Sequence, residues 1–359
     1  MMRQFKIASS LLVVLFMTAT IAATTLEKQV GDFLLQVSDD GGAFNIKYNP
    51  PSSSNATNFF VSHDDFASTY FSVMLDDVIY RLRRSSVSTI RLLEEEHGAG
   101  LRLGIKDKLN VNMIFSFAPQ FSGDGQGAVK VEIVMENISA ETRKVALKGV
   151  FDTLLGENSG VHFVTARFPY VSTESSFLDM ADLQWVRSSN GNESVQFLFD
   201  GNGITSPRMV ALANKDLLTG DIWTPVIKDG RTFNSVFSYN NSAVCALWEP
   251  MILTPSTSGT ITFYITFASR AKIPPTAQFL GAKGSLVSGD DYDKITYSDA
   301  SGVVYTVGDL TDTMLNRRYI EDLLNRIRKL EEDPEHIDRN ELLRLNAELD
   351  AILEKIRRL

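Results

Sequence analysis

VKVEIVMENISAETRKVALKGVFDTLLGENSG, residues 129–160, decides the fold. Val129, Val131, Ile133 and Met135 alternate with Lys130, Glu132 and Glu136, and only Val134 interrupts the polar side. After a polar turn at Asn137–Thr142, Val145, Leu147, Gly149 and Phe151 resume the alternation. A period of two with one apolar face marks antiparallel strands that cover a core on one side. The spacing predicts a hairpin of two long strands at the centre of a β-sandwich.

The same pattern extends outward. Phe33–Val37 and Phe44–Tyr48 alternate on either side of Asp39-Asp40-Gly41-Gly42, which reads as a turn. Two strands are predicted around Asp76-Asp77, and others at 88–93, 100–105 and 111–117. Short strands at regular spacing, with turn residues between them, are the pattern of a sandwich or barrel. Residues 174–185 read as a short helix or an irregular crossing. Strands return at 195–199, 209–213, 244–248 and 261–267, and the last of these is expected to close the sandwich. In 269–309 the prolines and glycines break regular elements, which reads as a linker or packed loop.

From residue 310 the pattern becomes helical. Ile320, Leu323, Ile327 and Leu330 form one apolar seam; Leu342, Leu345, Leu349, Ile352, Ile356 and Leu359 continue it to the last residue. Spacing of three and four is an a/d seam suited to one neighbouring helix. Asp333-Pro334-Glu335 has helix-start chemistry between the two runs. Either the helices fold back as a hairpin or they lie end to end along a partner. These ten residues are the candidate partner-binding set, for a protein partner, self-association or a filament surface.

The expected organisation is therefore an export signal peptide at 1–23, a β-sandwich at 24–268, a linker or packed loop at 269–309 and a helical assembly arm at 310–359. The export reading rests on basic Arg3 and Lys6, an apolar run at 7–21 and small Ala22-Ala23. Cys245 is the single cysteine, so no intrachain disulfide can form. That suits a large chain of the bacterial periplasm, or a secreted one, that relies on its core alone. The net charge of −9 argues against nucleic acid, which attracts a basic face, and gives no polybasic patch for anionic lipid. No membrane association is expected after signal cleavage.

No residue set declares a reaction. The four histidines (His63, His97, His162, His336) show no metal-ligand spacing, and nucleophile-elbow, phosphate-loop and dinucleotide motifs are missing. Neither a metal nor a cofactor is expected. The most suggestive carboxylates are Asp152 and Glu157, at the end of the central strand beside Asn158. Such a pair can do acid/base work on a sugar, bind a cation or hydrogen-bond loop amides. Trp185 and Trp223 could stack on a sugar ring or be buried. Asp152, Glu157, Asn158 and Trp185 form the candidate ligand or cation site.

The run from Glu132 to Phe163, ending in FDTLLGEN-SG-VHF, resembles a segment of uncharacterised exported bacterial β-sandwich proteins. Some of these are similar to the supersandwich folds of mutarotase-like, carbohydrate-active proteins. The resemblance covers the middle of the chain only. The acid and histidine set of a mutarotase has no residue-by-residue counterpart here, so activity is not carried over. The overall layout also resembles accessory proteins of the spirochaete periplasmic flagellar sheath, which implies a coating or bridging role. The sequence reading is thus a mainly β protein, an antiparallel sandwich with a C-terminal helical hairpin or coiled-coil arm. Its expected role is non-enzymatic assembly in the bacterial envelope, with a flagellar filament sheath as the concrete version. The alternative is a carbohydrate-binding or mutarotase-like module.

Overall fold

A computed structural model describes residues 24–276 except 40–42, 52–55, 61–68, 83, 84, 86, 119–122, 158–160, 169, 220, 221 and 229. It also describes residues 279, 296–298, 304–306, 327 and 328. Residues 1–23, read above as an export signal, and nearly all of the residues read as a helical seam lie outside these residues. Of the ten seam positions only Ile327 is described, in a helical pair with Arg328. Asn158, His63 and His336 are also outside.

Two antiparallel sheets pack face to face. The first has eleven strands. Its edge is the meander β1 (Thr25–Val30), β2 (Phe33–Ser38) and β3 (Ala43–Tyr48), and β4 (Thr57–Asn58) also pairs with β3. β5 (Tyr70–Leu75) follows β3 in the order, and β6 (Val78–Arg81) pairs with β5. The second sheet begins with β7 (Ser88–Glu95), β8 (Gly98–Ile105), β9 (Leu109–Phe117) and β10 (Gln126–Asn137), each paired with the next. The chain then returns to the first sheet with β11 (Arg143–Asp152) beside β5.

β10 and β11 are therefore not a hairpin. β10 is central in the second sheet and β11 is central in the first. Both strands have one apolar face, and each can bury it by facing the other across the core. Val129, Val131, Ile133 and Met135 of β10 join Val145, Leu147 and Phe151 of β11 in one buried cluster. That arrangement removes apolar surface from both strands at once, at roughly 25 cal/mol per Å². Asn137 fixes the crossing. Its side-chain amide donates to the carbonyls of Glu141 (2.7 Å) and Leu253 (2.8 Å), and its Oδ1 accepts from the Ser139 amide at 3.0 Å.

The remaining strands divide between the sheets. β12 (Val164–Thr165), β14 (Trp185–Ser189), β15 (Ser194–Leu198) and β19 (Ser258–Ala268) complete the second sheet. β13 (Ser175–Phe177), β16 (Met209–Asn214), β17 (Ser242–Leu247) and β18 (Met251–Leu253) complete the first. β19 does not close an edge. It lies between β15 and β10, which explains its fully apolar inner face at Ile261, Phe263, Ile265 and Phe267. The irregular stretch 174–185 resolves into β13 and the single-turn helix α1 (Met180–Leu183), capped by Asp179. Beyond 268, Phe279 packs against Tyr264, with ring centroids 4.5 Å apart. The region read as breakers also contains a two-stranded ribbon, β20 (Thr296–Ser298) with β21 (Val304–Thr306).

Asp152, at the end of β11, lies on the outer face of the first sheet with Val150. Side chains alternate along β11. Val145, Leu147 and Phe151 point inward, so Lys148, Val150 and Asp152 point outward. Helix α2 (Lys215–Thr219) and the following segment cover that outer face. Leu218, Trp223 and Ile227 pack there on Tyr70, Val150, Cys245 and Leu247. Cys245 is fully buried in this layer, and burial pushes its thiol up to about 12, so it stays protonated. Among the described residues no helix is long and apolar enough to cross a membrane.

Candidate functional site

The site forms where β11 ends. Asp152 is wholly buried, and its amide donates to Thr69 Oγ1 at 3.0 Å. The chain then turns through Leu154–Glu157, and this turn packs against the backbone of His162, before β12. A Cβ on Gly156 would lie 2.2 Å from the carbonyl oxygen of His162. Only glycine allows that approach, which brings Glu157 and His162 to one place.

The start of β17 and the loop before it hold the two side chains. The Ser242 amide donates to Glu157 Oε1 at 3.1 Å, and the Ser242 hydroxyl lies 2.7 Å from His162 Nδ1. Asn240 makes the second link. Its side-chain amide donates to the Glu157 carbonyl, and its Oδ1 lies 2.9 Å from His162 Nε2. An amide oxygen can only accept, so the neutral ring carries its proton on Nε2 and takes the serine proton at Nδ1. Phe233 packs on the imidazole, with centroids 4.5 Å apart. Asn240 reaches this position in a left-handed conformation, φ +54°, which asparagine tolerates better than most residues.

Burial sets the protonation states. It pushes the Glu157 carboxyl up, against the lowering effect of the Ser242 amide, and the nearby Asp152 raises it further while Lys215 opposes. The result is about 7. His162 is buried too, and desolvation holds its imidazole below the usual range despite the bond to Asn240. At neutral pH the cluster therefore holds a half-titrated carboxyl beside a neutral imidazole. A group near the operating pH is suited to giving and taking protons.

The loop that carries Asn240 is anchored by several hydrogen bonds. Buried Glu174 accepts from Arg231 through both oxygens, at 2.6 and 2.7 Å, and from the Lys228 amide at 3.2 Å. The Asn240 amide donates to Asn234 Oδ1 at 2.7 Å, and Asp216 accepts from the hydroxyls of Ser235 and Ser238. These anchors leave Val236, Phe237 and Tyr239 facing solvent, 95%, 90% and 85% exposed. Three bulky apolar side chains within four positions are an unusual patch for a loop already tied down.

Of the four candidate ligand residues, Asp152 lies near enough to Glu157 for its charge to raise the Glu157 carboxyl, and Asn158 is outside the described residues. Trp185 stands elsewhere, buried in a cluster of the second sheet with Leu198 and Phe279, under the guanidinium of Arg187. His97 is on the surface near Glu96. His162, Asn240, Ser242 and Phe233 are not among the candidate residues, although His162 lies next to the end of the segment that carries the resemblance. Their signal is tertiary: 80 residues separate His162 from Ser242. Among the described residues, no group of three His, Cys, Asp or Glu side chains could hold a metal ion.

No protein-family model matches this chain, and no curated protein matches it. Solved structures do. A galactose mutarotase-like protein from Lactobacillus casei ATCC 334 is 8% identical, with a TM-score of 0.41 over 68% of this chain and 100% of that one. A putative aldose 1-epimerase from Escherichia coli K12 is 10% identical, with a TM-score of 0.39 over 69% and 100%. A GalM/aldose epimerase homologue from C. elegans is 10% identical, with a TM-score of 0.43 over 69% and 99%. These are mutarotase-like proteins, as the resemblance of the middle segment implies, and none of the three is a flagellar protein. The expectation of a non-enzymatic protein is not upheld: the similar structures are named as mutarotase-like and epimerase proteins, and those names belong to those proteins and assign this chain no activity.

Proposed function

We propose that this chain is a carbohydrate-active protein of mutarotase-like type, which binds a pyranose over Glu157 and exchanges protons with it. The observation that carries the reading is the Glu157 carboxyl, raised to about 7 and held by Ser242 next to neutral His162. Opening a pyranose requires proton removal from the anomeric hydroxyl and proton delivery to the ring oxygen; closing on the other face reverses both steps. Glu157 accepts in its ionised form and donates in its protonated form. His162 has both nitrogens engaged and acts as a positioning residue. Phe237 and Tyr239 offer flat apolar faces against which a sugar ring can stack, and Asn234 is a neighbouring polar side chain. The export segment, read from sequence alone, would put this activity in the periplasm.

The test is anomer exchange. Exchange spectroscopy of aldohexoses should show faster interconversion of α and β forms with the wild-type chain than with Glu157→Gln. Equal rates with both proteins, at the level of buffer, would sink the proposal.

A further inference from the structure

The chain contains two Asn-Gly dipeptides, Asn190-Gly191 and Asn202-Gly203. In such a pair the glycine amide nitrogen can attack the asparagine side-chain carbon, because glycine has no side chain to shield its nitrogen and its backbone rotates freely. Both pairs are exposed, the first in the turn between β14 and β15 and the second in the turn that follows β15. Their sequences do not separate them, but their hydrogen bonds do.

Asn190 is locked. Its Oδ1 accepts from the amides of Asn192 (2.9 Å) and Glu193 (2.8 Å), and its Nδ2 donates to Glu193 Oε2 at 2.9 Å. The attacking group is engaged as well, since the Gly191 amide donates to Ser189 Oγ at 3.1 Å. Asn202 is held by its main chain, whose amide donates to the Phe279 carbonyl at 2.9 Å. Among the described residues neither the Asn202 side chain nor the Gly203 amide makes a hydrogen bond. Gly203 has φ +73°, with nothing within 4 Å of where a Cβ would sit.

We propose that Asn202 is a self-modification site, which converts to aspartate and isoaspartate with water as the co-reactant, while the folded chain spares Asn190. Solvent hydroxide takes the Gly203 amide proton, and the nitrogen forms a bond to Asn202 Cγ. The Cγ–Nδ2 bond then breaks and ammonia leaves, its added proton coming from water. A second water opens the cyclic imide. Attack at Cγ restores the main chain and leaves aspartate; attack at the main-chain carbonyl carbon of Asn202 leaves isoaspartate, joined to Gly203 through Cγ. Asn190 must give up side-chain bonds before this attack, and each bond of average worth slows the step roughly fivefold.

The conversion has a structural consequence. Isoaspartate lengthens the main chain by a methylene inside the turn that the Ile204 amide closes on the Gly201 carbonyl, at 3.3 Å. That turn presents the Asn202 amide to Phe279, whose ring packs on Tyr264 with centroids 4.5 Å apart. The new carboxylate also stands two residues from Asp200. Conversion therefore weakens the docking of Phe279.

The experiment is ageing of the full chain in mildly alkaline buffer, followed by peptide mapping with mass spectrometry and enzymatic labelling of isoaspartate. Acid products should accumulate at position 202 at least roughly fivefold faster than at position 190, with ammonia released in step. In strong denaturant the two rates should converge, because the bonds around Asn190 are gone. Ser189→Ala frees the Gly191 amide and should speed conversion of Asn190 in the folded chain. Hydrogen exchange at the position 202 amide should quicken as wild type ages and stay constant in Asn202→Gln, whose longer side chain disfavours ring closure. Conversion at 190 as fast as at 202 in the folded chain overturns the proposal, as does conversion at neither while the unfolded chain converts both. Unchanged exchange at the position 202 amide after conversion overturns the effect on Phe279. None of these readouts involves the Glu157 site.

Discussion

Ser242 joins His162 to the rest of the site: its hydroxyl lies 2.7 Å from His162 Nδ1. The amide of the same serine donates to Glu157. One strand-start residue thus holds an acid and an imidazole that arrive from the opposite side of the loop. The consequences are measurable one at a time.

Stability should depend on pH through Glu157. Its folded value, about 7, is above the ordinary value of 4.5. The folded state then holds the proton longer, so this contribution is complete below about 4.5 and is lost as pH rises through about 7. His162 works in the opposite sense, because its folded value is lowered from 6.5 and its contribution is lost as pH falls below that range. Thermal melts from pH 5 to 8 isolate the first effect. The difference in Tm between Glu157→Gln and wild type should grow with pH across this window; a constant difference would show that the carboxyl titrates normally.

His162→Ala should unfold more easily. The substitution removes a buried ring packed on Phe233 and strands the Ser242 hydroxyl and Asn240 Oδ1. The loss should be about 3 kcal/mol in urea unfolding, combining a cavity with unpaired polar groups. A loss under about 1 kcal/mol would mean that the ring is dispensable to the fold.

Gly156→Ala separates geometry from chemistry. The new methyl group would meet the His162 carbonyl, which is backbone and cannot rotate away. The turn carrying Glu157 must shift by an ångström or so, enough to reduce a positioned acid/base step roughly a hundredfold. Anomer exchange should therefore fall further than stability does. Unchanged exchange in this variant would place the proton transfer elsewhere.

Glu174→Ala should loosen the loop that presents Phe237 and Tyr239. It removes a buried carboxylate that accepts twice from Arg231 and once from the Lys228 amide. Arg231 is partly exposed and can be rehydrated, so the cost should be about 2 kcal/mol, below that of a fully buried pair. Hydrogen exchange at the Lys228 amide should accelerate, and sugar affinity should fall. Retained protection at that amide would show that other contacts hold the loop.

Much of the architecture is legible from alternation. The strands around Asp76-Asp77 follow directly, and both aspartates take the left-handed conformation of the tight turn between them, φ 49° and 65°. Alternation could not say which strands share a sheet. The β10–β11 connection reads like a hairpin because two one-faced strands look the same whether they pair or face each other across a core. The candidate site was half legible. Asp152 and Glu157 stand out because acidic residues follow an apolar strand. Asn240 comes from a polar loop and Ser242 from the start of β17, with their partner His162 78 and 80 residues away, and no local pattern distinguishes them from ordinary turn residues. Trp185 shows the converse: an aromatic residue that suggested a ligand surface proves to be packing.

The most direct measurement is a carbon NMR titration of the Glu157 side-chain carboxyl, assigned by comparison with Glu157→Gln, with and without a saturating monosaccharide. The midpoint should lie near 7 and move when the sugar is added. A midpoint in the ordinary carboxylate range, or one indifferent to the sugar, would contradict this role for Glu157.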